Sequence, residues 1–205
     1  MALGADWRIF GYGGLALAIL VWGLILYAAI AFRKRPGNET PRSMKTSNIP
    51  LELSWTIAPI LVVTGLFIYT YKIENLVEFM KPNPAVQIEV NAFRWGWTFK
   101  YLGGPTINGT STNPPQMVLP LGERAAIQVT SSDVDHAFWI PDMLFKRDAI
   151  PGRVTAFDLT PIKAGTFLGR CGEFCGLDHA LMVFTVKVVP PAEYRHWLAL
   201  EMHQR

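Results

Sequence analysis

Two long stretches near the start of the chain, residues 10–32 and 53–71, contain no charged residue. At about 1.5 Å of rise per helical residue, they would extend roughly 35 Å and 28 Å, enough to cross the hydrocarbon core of a bilayer. Pro59 is compatible with a membrane helix, in which a neighbouring group can satisfy the freed carbonyl. The pattern predicts a two-helix transmembrane hairpin, with helices over about 10–32 and 51–72.

Positive charge is concentrated between the two stretches. The loop 33–50 carries five basic residues and one acidic residue. Because Lys and Arg in short loops mark the cytoplasmic side of a membrane, we expect this loop in the cytoplasm and both chain ends outside it. The first stretch is expected to remain as an anchor, since no small-residue cleavage site follows it. Residues 1–80 are therefore predicted to form a two-pass membrane domain.

The pattern changes after residue 80, where short apolar and polar alternations are separated by turns rich in Gly and Pro. Seven strands are predicted, over residues 86–92, 95–101, 116–119, 125–131, 154–159, 165–169 and 183–189. Short strands at this spacing favour an all-β sandwich or Greek-key barrel over βαβ units. Residues 192–205 have the pattern of an amphipathic closing helix. We therefore expect an extracytoplasmic all-β domain over residues 81–205.

Composition excludes several classes of protein. Half of the 205 residues are hydrophobic and only 17% are charged, which excludes a disordered chain. The net charge is +3 and no basic stripe with interleaved aromatics is present, so no nucleic-acid partner is expected. Two cysteines are too few for a disulfide scaffold of this length. The candidate chemistry lies in the neighbourhood of these two cysteines.

Four soft donors occur within residues 171–182, namely Cys171, Cys175, His179 and Met182. Thiolate, imidazole and thioether together select copper over hard cations. His136 stands near the end of a predicted strand, and strand-end loops of a sandwich meet at one pole, so it can complete the site. Two bridging thiolates with one terminal imidazole on each metal fit a dinuclear copper centre. Met182 and a main-chain carbonyl near Glu173 would be the weaker ligands of such an electron-transfer site.

Other interpretations of the cluster remain open at this point. A disulfide between Cys171 and Cys175 would suit an oxidising compartment, but it leaves His179 and Met182 without a role. A zinc site would use two Cys and two His and does not explain the methionine. A membrane-anchored copper chaperone would also have a CxxxC pair, although its histidine would lie far downstream of the cysteines.

Several segments of the chain resemble one family, subunit II of the haem–copper cytochrome c oxidases. The spacing Cys-x-Glu-x-Cys-x-x-x-His-x-x-Met over 171–182 is similar to the Cu(A) motif of that family, and the segments SSDVDHAFWIP, KRDAIPGR and FRWGWTFKY also match. The resemblance extends over nearly the whole chain and points to the Gram-positive bacterial branch. It implies a cupredoxin-like fold for the β domain and a location in the bacterial plasma membrane.

The resemblance also implies the metal ligands. The bridging thiolates would come from Cys171 and Cys175, and the terminal imidazoles from His136 and His179. Met182 would supply an axial thioether and Glu173 a main-chain carbonyl. The Glu173 carboxylate would in addition reach a Mg or Mn ion shared with subunit I.

Three further residues gain expected roles, two of them from the resemblance. Trp95 would be the point at which electrons enter the chain. Glu52 would lie near the mouth of a proton-uptake path, and as an acid in the first turn of a helix it would also suit the helix dipole. Independently of the resemblance, Asp133, three residues before His136, would hold a copper-ligating histidine, help to dock the electron donor, or be an exposed, solvated acid.

The implied function is the electron-transfer subunit of a proton-pumping terminal oxidase, which passes electrons from cytochrome c to haem in subunit I for the reduction of oxygen to water. Expected partners are subunits I and III, membrane lipid, and either soluble cytochrome c or a tethered cytochrome c domain of a bc-type complex in a supercomplex. From residue 81 onward the chain has 12 basic and 11 acidic residues, which favours a tethered donor over a basic soluble one. The alternatives are the Cu(A) subunit of a nitric oxide reductase, a quinol oxidase subunit without copper ligands, and the copper chaperone.

Overall fold

The computed structural model describes residues 2–33 and 47–203, so that most of the predicted cytoplasmic loop lies outside the described residues. The chain divides into two compact units, Met1–Leu66 and Phe67–Arg205. Two helices, α1 (Ala2–Ala31) and α2 (Ile49–Glu78), come first. Each contains a stretch long and apolar enough to cross a membrane.

Both helices extend beyond the apolar stretches that predict them. Hydropathy marks 10–32 and 51–72, whereas the helical hydrogen bonds of α2 continue to Glu78 through polar residues. At the start of α2, the Asn48 side chain accepts a hydrogen bond from the Leu51 N–H (3.3 Å), and the Glu52 carboxylate accepts one from the Asn48 N–H (2.8 Å). This reciprocal cap satisfies backbone donors that the first turn leaves free.

The second unit contains ten strands in two sheets. The strands are β1 (Val86–Phe93), β2 (Gly96–Tyr101), β3 (Thr106–Thr110), β4 (Gln116–Pro120), β5 (Ala125–Ser131), β6 (His136–Ile140), β7 (Phe145–Ala149), β8 (Thr155–Leu159), β9 (Gly165–Cys171) and β10 (Val183–Val189). One sheet has the order β3-β2-β1-β5-β8 and the other β4-β10-β9-β6-β7. The pairs β1–β5 and β4–β10 are parallel, and the other pairs are antiparallel. The predicted architecture of two apolar helices followed by a β domain is confirmed.

The strands β3, β6 and β7 do not follow from the sequence pattern. Each has only five residues. β3 contains an Asn-Gly pair that suggests a turn, and β7 (FKRDA) carries three charges, so neither has the apolar alternation on which strand prediction depends. β7 is an edge strand, whose pairing with β6 requires no second neighbour.

The core of the β domain lies between the two sheets and extends to the candidate site. Alternate residues of β1 are buried, and aromatic side chains fill the space between the sheets. The ring centroids of Phe138 and Phe184 are 4.7 Å apart, and those of Trp97 and Phe184 are 5.1 Å apart. The Trp97 ring is 6.4 Å from that of His136. The aromatic cluster therefore packs against the imidazole of His136 through Trp97.

A third helix, α3 (Pro191–His203), closes the chain. Its Trp197 packs edge-on against Tyr101, with ring centroids 5.2 Å apart. The buried Tyr101 hydroxyl donates to the Val118 carbonyl (2.9 Å) and accepts from the Val118 N–H (2.7 Å). Tyr101 thus ties β2 to β4 and to the closing helix.

Candidate copper site

The predicted ligands meet at one end of the sheet β4-β10-β9-β6-β7. His136 is the first residue of β6, Cys171 is the last residue of β9, and the other ligands come from the loop that joins β9 to β10. In the β6–β9 ladder, Phe138 lies opposite Cys171. This register brings His136 to the thiol although the two residues are 35 positions apart in the chain.

Each of the two thiols faces one imidazole. The Sγ atoms of Cys171 and Cys175 are 3.8 Å apart. Nδ1 of His136 is 3.6 Å from Sγ of Cys171, and Nδ1 of His179 is 3.5 Å from Sγ of Cys175. The ligand atoms of His136 and the two cysteines all lie within 4.8 Å of one another, which is close enough to hold a metal ion.

Each thiol also faces one weaker donor. The main-chain oxygen of Glu173 is 3.2 Å from Sγ of Cys171, and Sδ of Met182 is 3.8 Å from Sγ of Cys175. The six donors therefore form two similar sets of three around the sulfur pair. Their soft chemistry and this near-symmetric arrangement fit two copper ions that share both sulfurs.

The two thiols differ in acidity. Burial would raise the pKa of Cys171, but hydrogen bonds to His136 and to the Ala137 and Glu173 backbone lower it to about 6. Burial and the adjacent negative charge of Cys171 raise the pKa of Cys175 to about 12. The pair therefore loses its two protons in well-separated steps.

Asp133 connects His136 to the segment that precedes Trp95. Its carboxylate accepts a hydrogen bond from His136 Nε2 (2.9 Å) and two from Arg94, through the backbone N–H (2.8 Å) and Nε (3.2 Å). Burial would raise the pKa of Asp133, but the bonds from His136, Val134 and Arg94 hold it well below its ordinary value. Of the roles expected for Asp133, this contact favours that of holding the histidine, because the hydrogen bond at Nε2 leaves Nδ1 of His136 directed at Sγ of Cys171.

The pKa of His136 is raised because the effects of its two partners outweigh that of burial. Burial lowers it, whereas the hydrogen bonds and charges of Cys171 and Asp133 raise it. The imidazole is completely buried, and both of its nitrogens have a partner.

Trp95 lies directly against the loop that carries the thiols. Its indole N–H donates to the carbonyl oxygen of Cys175 at 3.3 Å. A Cβ on Gly176 would lie 3.2 Å from Cζ2 of the indole, and the φ of Gly176 is +118°, a conformation that favours glycine. The half-buried Trp95 therefore reaches from the surface of the domain to the backbone of a candidate ligand.

Two predicted residues have local partners of their own. The Glu52 carboxylate serves in the cap of α2. The Glu173 carboxylate accepts a hydrogen bond from Nζ of Lys146. Within the described residues, the group of three or more His, Cys, Asp and Glu side chains placed to hold a metal ion is the one at the thiols, and it does not include Glu173.

Lys146 and Arg94 are the residues that sequence reasoning misses. Both lie in segments that resemble the family, KRDAIPGR and FRWGWTFKY, but no spacing rule relates them to the cysteine cluster. Their contacts with Glu173 and Asp133 depend on the pairing of distant strands.

Several known proteins similar to this chain in sequence or structure belong to one family. Residues 110–189 match the model of the family described as "Cytochrome C oxidase subunit II, periplasmic domain". A probable cytochrome c oxidase subunit 2 from Streptomyces avermitilis is 34% identical, over 94% of this chain and 72% of that protein. A cytochrome c oxidase subunit 2 from Mycobacterium tuberculosis is 33% identical, over 90% of this chain and 67% of that protein.

A solved structure extends the likeness to the fold. The periplasmic domain of subunit II of cytochrome oxidase from Bradyrhizobium japonicum is 32% identical, with a TM-score of 0.54, and the match covers 61% of this chain and 99% of that one. These findings define the class as a cupredoxin-like β domain, similar to the periplasmic domain of those proteins, preceded by two apolar helices. The chain belongs to the cytochrome c oxidase subunit 2 family and is part of an oxidoreductase complex. The predicted family is confirmed.

Proposed function

We propose that this chain receives electrons outside the membrane at a dinuclear Cu(A) centre and passes them to haem in subunit I of a proton-pumping oxidase. The observation that supports this most is the donor set, in which each of two thiols 3.8 Å apart has its own imidazole and its own weaker donor. Copper bound there would supply a one-electron carrier. The donors come from the ends of β6 and β9 and from the loop that joins β9 to β10, which would hold them in fixed positions.

The surroundings of the donors are suited to electron transfer rather than to substrate binding. His136 and Met182 are fully buried, and the two thiols are at most 5% exposed, so water and substrates have little access to them. The aromatic cluster packs beneath the imidazole of His136. Trp95 gives the buried donors a direct contact with the surface of the domain. We therefore infer that electrons enter at Trp95.

The remaining assignments follow from membership of the family and from charge. We infer a two-pass protein of the bacterial plasma membrane, with both ends outside and the basic loop in the cytoplasm. Subunits I and III, lipid and a tethered or soluble cytochrome c are the proposed partners. We also infer that Glu52, which caps α2, lies near the mouth of a proton-uptake path, and that a Mg or Mn ion at Glu173 would share ligands with subunit I.

Electron paramagnetic resonance of the full-length chain, purified in detergent and loaded with copper, tests the proposal. Hyperfine splitting from two equivalent copper nuclei that share one electron is the expected result. A single-copper pattern or the absence of bound copper would contradict it and would favour a chaperone or a disulfide-bonded domain.

Trp95→Phe is expected to lower the turnover of the assembled oxidase at least several-fold while the copper spectrum stays unchanged. The smaller ring loses the hydrogen bond to the Cys175 carbonyl and part of its contact with Gly176. Oxygen consumption with the native donor measures the effect. Trp197→Phe, on α3, is the matched control and should leave turnover unchanged, whereas normal turnover in Trp95→Phe would remove its proposed role.

A further inference from the structure

Lys146 lies against the backbone at the start of residues 172–182, which join β9 to β10 and are called the ligand loop below. On β7 it is opposite Trp139 of β6. A Cβ on Gly172 would meet Cδ of Lys146 at 3.5 Å, next to the Cβ atoms of Trp139 at 3.3 Å and Ala137 at 3.4 Å. Beyond this contact, Nζ of Lys146 donates to the carboxylate of Glu173. The stem and the charge of one lysine therefore contact two consecutive residues of the loop.

The main-chain carbonyl of Glu173 is itself directed at the site, 3.2 Å from Sγ of Cys171. The preceding residue is fixed to β6, because the Gly172 N–H donates to the Ala137 carbonyl at 3.0 Å. The following residue, Phe174, is 83% exposed, and its ring lies 5.7 Å from that of His179. The direction of the Glu173 carbonyl therefore depends on these two neighbours and on what holds the Glu173 side chain.

We propose that Lys146 is a positioning residue for the copper site, which clamps the Glu173 side chain so that the main-chain carbonyl stays directed at Cys171. This inference rests on the proposed copper function. The side chains of Lys146 and Glu173 are 44% and 45% exposed, and surface ion pairs of this kind contribute little to global stability. The effect of the pair is therefore expected in the geometry of the loop and not in the free energy of unfolding.

Lys146 could affect the site by holding the Glu173 side chain or by its charge alone, and the two explanations predict opposite changes in copper retention when Lys146 is replaced. If only the charge mattered, removing the ammonium would leave the site more negative, so that it would retain copper ions more strongly. Removing the Glu173 carboxylate would then weaken retention. If the pair acts as a clamp, either removal frees the same carbonyl, and both variants lose copper faster than the wild type.

The test is the rate at which a chelator removes copper from the full-length, copper-loaded chain in detergent. We expect Lys146→Met, which keeps most of the aliphatic stem, and Glu173→Gln each to release copper roughly two- to fivefold faster, the factor equivalent to one surface ion pair. The double variant should be no faster than either single variant, because the same contact is lost. Lys146→Arg should restore a rate close to that of the wild type.

Lys187→Met is the matched control. Lys187 and Glu193 form an ion pair at 3.3 Å with side chains 45% and 52% exposed, comparable to the Lys146 pair but on β10 and α3. Its copper release should equal that of the wild type, and thermal unfolding should be nearly the same in all variants.

Slower or unchanged copper release in Lys146→Met would overturn the clamp, as would additive effects in the double variant. If Lys146→Met retains no copper, retention by Lys146→Arg supports the clamp and loss in both overturns it. The wild-type spectrum separates this inference from the proposed function. A wild-type chain without the two-copper pattern refutes the function, whereas a normal pattern with an unaffected Lys146→Met refutes the clamp alone.

Discussion

Cys175→Ser is expected to abolish the two-copper spectrum and, with it, the turnover of the assembled oxidase. Cys175 faces three of the other donors, since its Sγ lies 3.8 Å from Cys171 Sγ, 3.5 Å from His179 Nδ1 and 3.8 Å from Met182 Sδ. A serine hydroxyl is a harder and far less acidic donor than a thiolate, so it cannot bridge two coppers in the same way. Paramagnetic resonance and oxygen consumption measure the loss, and normal turnover in this variant would refute the copper assignment.

Met182→Leu provides the comparison for that experiment. Met182 is fully buried, and Leu has a similar volume, so the fold should tolerate the change. Only one weak donor is removed, and both thiols keep their imidazoles. We expect the two-copper pattern to remain, with a shifted reduction potential.

Arg124→Met is expected to destabilise the β domain by about 3 kcal/mol, the lower end of the cost of breaking a buried ion pair. Nη1 of Arg124 donates to both oxygens of Asp158 at 3.0 Å and to the Lys81 carbonyl at 2.7 Å. The Lys81 N–H in turn donates to Asp158 at 2.9 Å. The side chains of Arg124 and Asp158 are only 17% and 13% exposed, so removal of the guanidinium leaves a largely buried carboxylate without its cation.

Lys100→Met is the matched control for Arg124→Met. Lys100 and Glu89 are in contact at 2.8 Å, but their side chains are 53% and 51% exposed. Water screens such a pair, and its loss should change the free energy of unfolding by less than about 1 kcal/mol. Urea unfolding followed by tryptophan fluorescence would compare the two variants. Equal destabilisation by both would show that burial does not control the strength of these pairs.

The sequence predicts those parts of the molecule that depend on local patterns. Uncharged stretches predict α1 and α2, and alternation predicts the central strands, because burial of one face imposes a period of two. The spacing of Cys171, Cys175, His179 and Met182 predicts the candidate site, since those residues share one loop. His136 is predicted only because strand ends in a sandwich meet at the same pole.

The parts that the sequence does not predict depend on contacts between distant strands. β6 and β7 have little alternation and gain their place from pairing with β9 and with each other. Lys146 and Glu173 are 27 positions apart, and Arg94 and Asp133 are 39 apart. No residue pattern in one segment specifies which side chain of another segment will face it. The two roles expected for Glu52 cannot be separated by sequence for another reason. An acid that caps a helix has the same sequence context as an acid at a membrane surface.

The position of β10 within its sheet determines when that sheet can be completed during synthesis of the chain. β10 is the last strand of the chain, yet it lies between β4 and β9, and its Thr185 contacts Gln116, 69 positions earlier. A chain that emerges from the ribosome with its N-terminus first cannot complete this sheet until β10 has been synthesised. The ligand loop directly precedes β10, so the donors reach their final positions only in that last step. The two thiols are therefore brought together late, and until β10 pairs with β4 and β9 they belong to an unfinished sheet.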